Sequence, residues 1–339
     1  MATSALSGLR INDPAETAAR IVDALRTQLS SSLKRRGFVV GLSGGIDSSV
    51  SAALAVRAVG PEHVFGLFMP EYESSPASKT LGEELAKELG IATATEDIGP
   101  ILVAAACYVR RNEAIRRVIP EFRDDWGCKL VLPTDRLDTN RVSVTNLVVQ
   151  PPGGEMRHVR LPAAEYRQIV AASNFKQRVR IMIEYYHADR LYFAVLGTPN
   201  RLEYDQGFFV KGGDGLADCK PIAHLYKTQV YQLADYLGIP NSVTSRPPTT
   251  DTFSLPQSQE EFYYSLPIPL LDVVLYGKNE GRSASSIASE TGMSIEQVER
   301  AMRDIDRKRM TTRYLHLPAQ LAEPVPLDVG VTHPTELEP

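Results

Sequence analysis

Apolar residues at Ala18, Ile21, Val22, Leu25 and Leu29 recur at the spacing of one helix face, so residues 14–35 are read as an amphipathic helix that packs and does not react. The run GFVVGL at 37–42 is short and apolar throughout, the pattern of a buried strand. SGGIDSS follows as a turn, and the Ala- and Val-rich stretch from Ser48 to Val59 has helical length. HVFGLFMP at 63–70, SKTLGEELAKELG at 78–90 and IATATEDI at 91–98 continue as strand, helix and strand. This alternation predicts an α/β fold with a doubly wound, Rossmann-like parallel sheet.

The pattern is helical from Ile101 to Arg117 and changes from Pro120 to Leu161. There KLVLP, RVSVTNLVVQ and MRHVRL are separated by polar or Pro-Gly turns, and PPGG at 151–154 marks a hairpin. A β-rich insertion over about 120–162 is expected. Helical periodicity returns at Tyr166–His187, and LYFAVLGT at 191–198 reads as a buried strand. A glycine-rich loop, FFVKGGDGLADCKP, spans 208–221, and the helix KTQVYQLADYLG stops at Gly238 and Pro240. Residues 244–269, rich in Pro, Ser, Thr and Gln, are a candidate lid. Two helices around a Gly turn at 283–310 mimic a helix-turn-helix, with packing as the ordinary reading. The expected division is a main domain over 1–275 and a helical C-terminal extension and tail over 276–339.

With 339 residues, 43% hydrophobic, the chain is long enough for a full α/β core. A formal charge of −4 offers no broad basic field, so nucleic acid is not an expected partner and a DNA-binding tail is a remote alternative. Cys107, Cys128 and Cys219 lack CxxC spacing, which argues against a disulfide framework or a zinc site and for a reducing cytoplasm. The N-terminal stretch lacks the apolar core of a signal peptide and no run approaches eighteen apolar residues, so no membrane role is expected.

The candidate chemistry begins at SGGIDSS. Between a strand and a helix, its amides and the helix N-terminus converge on a point suited to an anion. Gly44 and Gly45 let phosphate oxygens approach the backbone, Ser43, Ser48 and Ser49 add hydroxyl donors, and Asp47 can accept from loop amides or help hold a cation. The loop lacks the lysine of GxxxxGK[ST] and is not GxGxxG, so it is neither a Walker A loop nor a dinucleotide fingerprint.

SGGIDSS after a buried strand resembles the signature of the ATP-pyrophosphatases, the adenine nucleotide alpha hydrolase-like family, which cleave ATP between the α and β phosphates. From Asn174 to Pro240 the chain is similar to the NAD synthetases of the ammonia-dependent type. An arginine-containing helix, GTPNRLE, KGGDGLAD and the helix start KTQ occur in that family's order and spacing. MPEYESSPASKTLGEELAKELGI resembles its segment beside the adenosine, and the likeness spans roughly residues 15 to 255.

The resemblance implies an ATP site formed by Gly41, Ser43, Gly44, Gly45, Ile46, Asp47, Ser48 and Ser49. Met69, Ser75, Arg178 and Thr198 would join them, and Lys227 would reach the phosphates. Asp47 and Glu203 would hold Mg²⁺. Lys211, Asp214 and Asp218 would border the acid substrate and, with Asp47 and Lys227, make up the catalytic set. The implied reaction adenylylates a carboxylate with ATP, after which ammonia displaces AMP, with no protein nucleophile. His158, His187 and His224 are expected to be structural. A homodimer is implied, and no glutaminase domain fits this length, so the nitrogen source is free ammonia or a separate ammonia-supplying subunit. Gly212 stands where the family often has an aromatic residue, and the segment before Asn174 is longer than the family's. Deamido-NAD and another small carboxylic acid both remain open as substrate.

Overall fold

The computed structural model describes residues 7–132, 145–250, 252–264 and 266–325. Asp13 caps the first helix, its Oδ1 accepting from the Glu16 amide at 2.9 Å, and Pro14 occupies the first helical position, where no amide is needed. α1 (Pro14–Thr27) then buries Ala18, Ile21, Val22 and Leu25, the residues whose spacing announced it. Its expected continuation to residue 35 is instead a wider π turn, Gln28–Leu33, ending at Lys34 with φ 50°. The serines of that segment carry no apolar stripe to hold an α-helix on the core.

β1 (Phe38–Gly41), α2 (Ile46–Val59), β2 (Val64–Phe68), α3 (Pro76–Leu89) and β3 (Ala92–Thr95) follow in the predicted order. The single helix expected over 101–117 is two, α4 (Gly99–Ala104) and α5 (Cys107–Arg116), because Ala106 between them takes a left-handed φ of 54°. β4 (Gly127–Val131), β5 (Asn146–Gln150) and β6 (Arg157–Arg160) form a separate antiparallel sheet, with PPGG between β5 and β6. Of the strand expected over 141–150, residues 141–144 lie outside the described residues, and Asn146–Gln150 form β5.

α6 (Ala163–Leu191) returns the chain to the main sheet. It outruns its expected end, so Leu191 closes the helix, Tyr192 turns with φ 59°, and the strand expected over 191–198 shrinks to β7 (Ala194–Val195). The remaining helices are α7 (Arg201–Gln206), α8 (Lys227–Leu237), α9 (Asn241–Thr244), α10 (Gln259–Phe262), α11 (Ile268–Asn279), α12 (Ala284–Thr291) and α13 (Ile295–His316). α11 crosses residues 275 and 276 without a break. The two helices that mimic a DNA-binding motif pack on it, burying Ile287, Val298 and Ile305 with Leu271 and Val274. Arg309 of α13 forms a two-point pair with Asp205 of α7.

The main sheet is parallel, in the order β3-β2-β1-β7. Successive residues of a strand face opposite layers. Phe38 and Val40 pack with Leu25 of α1, Leu54 of α2 and Val230 of α8, whereas Val39 packs with Ile181 and Ala188 of α6. From β1 the chain winds outward through β2 and β3, then returns on the other side at β7. Strand order reverses at β1, and a crevice opens beyond the carboxyl ends of strands at such a point.

Candidate functional site

SGGIDSS lies in that crevice. Gly44 adopts φ +70°, and a Cβ there would collide with the Ser78 carbonyl of α3, so glycine is required for both conformation and space. Gly45 caps α2 without a side chain. Ser48 and Ser49 turn their hydroxyls back to the Gly45 carbonyl at 3.0 and 2.8 Å, and Ser43 Oγ lies 3.2 Å from Ser48 Oγ. The first-turn amides of α2 remain directed at the crevice, where its dipole favours an anion.

Opposite the loop, Lys227 starts α8 with 1% of its surface exposed and donates to Asp47 Oδ2. Asn200 Nδ2 donates to Asp47 Oδ1 at 3.2 Å. Asn200 also caps α7 and exchanges a capping box with Glu203, whose Oε2 accepts from the Asn200 amide at 3.1 Å. Asp47 and Glu203 are therefore tied to one asparagine. Burial first, and the Asp47 charge next, push the Glu203 carboxyl up to about 8 against the pull of Lys227. Burial draws the Lys227 ammonium down, but Asp47 and Glu203 outweigh it and hold it above the ordinary lysine value.

Asp47, Glu203 and Lys227 line a cavity of about 670 Å³ together with Arg178, Lys211 and Asp214. A second cavity of about 200 Å³ adjoins it at Ser43, Thr198 and Asp214 and is lined by Gly41, Met69 and Ser75. Gly45, Ile46 and Ser48 face the larger cavity. Gly44, Ser49 and Asp218 line neither: Gly44 packs on α3, Ser49 is wholly buried, and Asp218 Oδ2 accepts from the Val195 amide at 2.7 Å, holding the end of β7.

Lys211 sits at the rim, where its ammonium donates to the carbonyls of Tyr314 and Leu317 at 2.6 and 2.7 Å. Asp214 closes its loop by accepting from the Val210 amide at 2.7 Å, and desolvation pushes its carboxyl up to about 6. His187 pairs with Glu96 at 2.9 Å, away from either cavity. The three cysteines are free and buried.

Sequence reasoning passed over Asn200 as a ligand of Asp47. It also passed over Gln259, whose Nε2 reaches Glu203 Oε1 at 3.0 Å, and Arg246, which lines the larger cavity and donates to Ser78 Oγ at 3.0 Å. Asp272, fully buried, accepts from the Thr228 amide at 2.7 Å and from the Lys227 amide at 3.3 Å, fixing the start of α8. A lone acid within the apolar run PLLDVVL is a signal that could have found it.

The NAD synthase family profile matches residues 17–118 and 146–314. The NH(3)-dependent NAD(+) synthetase of Rhizobium meliloti (strain 1021) is 56% identical over 317 residues, covering 94% of each chain. That of Thermotoga maritima is 32% identical over 270 residues, covering 79% of this chain and 88% of the relative. Among solved structures, the NH3-dependent NAD synthetase from Campylobacter jejuni, in complex with the nitrate ion, aligns with a TM-score of 0.59 at 20% identity. It covers 92% of this chain and 100% of the other. NMN synthetase from Francisella tularensis gives 0.57 at 22%, covering 92% and 99%. The structures share the fold; with the profile and the relatives, they establish that this chain belongs to the NAD synthase family.

Proposed function

We propose that the protein is an ATP-dependent ligase that adenylylates the carboxylate of deamido-NAD and amidates it with ammonia, giving NAD, AMP and diphosphate. The observation that carries this reading is the Asp47–Lys227 pair at the mouth of the Gly44–Gly45 loop, with Glu203 beside it. A carboxylate oxygen attacks the α-phosphorus, and the bond to the bridging oxygen breaks. Negative charge gathers on the departing diphosphate, where the amides of α2 and the buried Lys227 ammonium oppose it. Ammonia then attacks the acyl carbon, loses a proton, and AMP leaves.

Asp47 and Glu203 fit a magnesium site. Among the described residues no third acidic, histidine or cysteine ligand joins them, and Mg²⁺ takes few protein carboxylates and completes its shell with phosphate and water. The two would hold the ion, which would supply charge neutralisation at the phosphates; their mutual repulsion is what a divalent cation relieves. The reading extends to Arg178 and Arg246 as phosphate contacts, to the smaller cavity as the adenosine subsite, and to Lys211 and Asp214 beside the acid. Asp218 would act through the position of β7. A cytoplasmic homodimer using free ammonia, or ammonia from a separate subunit, completes it.

Incubating the protein with ATP, Mg²⁺, ammonium and deamido-NAD should give NAD and AMP in equal amounts. Failure to form AMP with any acid removes the reading, and diphosphate release only with a different acid changes the substrate.

A further inference from the structure

α6 presents Gln177, Arg180, Ile181 and Glu184 to the smaller cavity, at a spacing that keeps them on one helical face. Facing them are Gly41 at the end of β1 with Leu42 just past it, and Leu67 and Phe68 at the end of β2 with Met69 just past it. Apolar side chains on these strands face a mostly polar helix side, and two carboxyl groups line the slot, Glu184 on α6 and Asp214 at its junction with the larger cavity. The slot opens beside Ser43 and shares Thr198 with the larger cavity, so a flat group joined to the bound phosphates would enter it. A Cβ at Gly41 would stand only 2.8 Å from Glu184 Oε1, so the glycine leaves room for this carboxyl. Among the described residues none hydrogen-bonds to it; Arg180 and Asp214 act on it through charge alone.

We propose that Glu184 reads the nucleotide base, its carboxyl pairing with the exocyclic amino group and the adjacent ring nitrogen of adenine. The proposal rests on the reading of this cleft as an ATP site and assigns the residue that selects the base. A neutral carboxyl carries one O–H donor beside one acceptor. Adenine offers an N6 donor beside the N1 acceptor, the complementary pair. An ionised carboxylate has acceptors only, which suit the N1–H and 2-amino donors of guanine and repel the N1 lone pair of adenine. Protonation therefore decides which base fits.

The surroundings keep the acid neutral. Burial first, and the Asp214 charge next, push Glu184 up to about 8, against Arg180. The charged groups facing the slot are Arg180 on α6, Lys79 on α3 and Asp214 from the 210–214 loop. Lys79 is drawn to Glu83 at 3.6 Å along its own helix.

ATP binding to the full chain, measured calorimetrically without acid substrate, tests this separately from turnover: AMP formation reports on the reaction, and the Kd reports on Glu184. Glu184→Leu should weaken ATP about tenfold at pH 7, roughly the worth of a hydrogen-bonded pair. Glu184→Gln, whose amide keeps a donor beside an acceptor, should recover most of that loss. The wild-type Kd should rise as pH passes about 8 and the preference for ATP over GTP should shrink, while both stay level in Glu184→Gln. Wild-type affinity in Glu184→Leu, or an unaltered pH dependence in Glu184→Gln, would overturn the proposal.

Discussion

Lys227 donates to Asp47 across 180 residues of sequence, joining the first turn of α8 to the first turn of α2. A lysine at a helix N-terminus opposes the helix dipole, and here it is also buried, yet Asp47 and Glu203 outweigh the burial and hold the ammonium above the ordinary lysine value. Lys227→Met leaves both acids without their cation. It should lower the rate of AMP formation by about 100-fold or more. It should also cost about 3 kcal/mol in urea unfolding, since breaking a buried pair strands a charge. A variant with wild-type turnover would show that Lys227 is structural only.

Glu203 gives a stability signature with a definite sign. Its carboxyl titrates near 8 in the fold and at the ordinary 4.5 when unfolded, so between those values the folded chain holds a proton that the unfolded chain has lost. Stability contributed by this group is complete below about 4.5 and falls as pH rises through 8. Without ATP or magnesium, Glu203→Gln should melt above the wild type at pH 8 and with it at pH 5, while AMP formation drops roughly 100-fold. Equal melting temperatures at pH 8 would mean that Glu203 carries no such penalty.

Met182 and Tyr186 stand one turn apart on α6, 52% and 60% exposed, on the helix whose opposite face closes the main sheet. Large apolar groups adjacent on an outer helix suit an interface between copies of the chain. In light scattering the wild type should run as a dimer, and the double change Met182→Asp and Tyr186→Asp as a monomer. A wild-type monomer at micromolar concentration would remove the homodimer from the proposal.

The parallel core was legible because each strand is a short apolar run bounded by a turn, and the phosphate loop because its glycines sit where a buried strand meets a helix. β7 was overestimated because residues 191–193 are as apolar as a strand, while the helical bonds of α6 and the left-handed Tyr192 claim them first. Periodicity likewise ran through Ala106, a residue of high helix propensity that nonetheless takes a left-handed φ of 54°. Within the site, Asp47 and Glu203 could be named from their motifs. Gln259 and Arg246 could not, because they come from a Pro- and Thr-rich stretch with no period, and only tertiary folding carries them to the cavity.

The 254–261 part of that stretch is held by residues 128–132, which lie in the segment between 118 and 146 that the family profile leaves unmatched. β4 is an edge strand, and its free side receives the 254–261 segment. The Leu255 amide donates to the Cys128 carbonyl at 3.2 Å and the Leu132 amide to the Glu261 carbonyl at 2.9 Å. Lys129 Nζ bridges Glu261 at 2.7 Å and the Pro256 carbonyl at 3.1 Å. Thr252, Phe253 and Gln259, around this seam, line the larger cavity, and Gln259 reaches Glu203. We propose that the acid binds against this wall, which the antiparallel sheet fixes in advance, sparing the acid the ordering cost of that loop. Lys129→Met removes the bridge while keeping the apolar stem. It should raise the KM for deamido-NAD about fivefold, leave the KM for ATP nearly unchanged, and speed proteolytic cleavage within 252–262. The split between the two KM values is decisive: a loosened wall on the acid side spares the nucleotide, whereas general destabilisation weakens both.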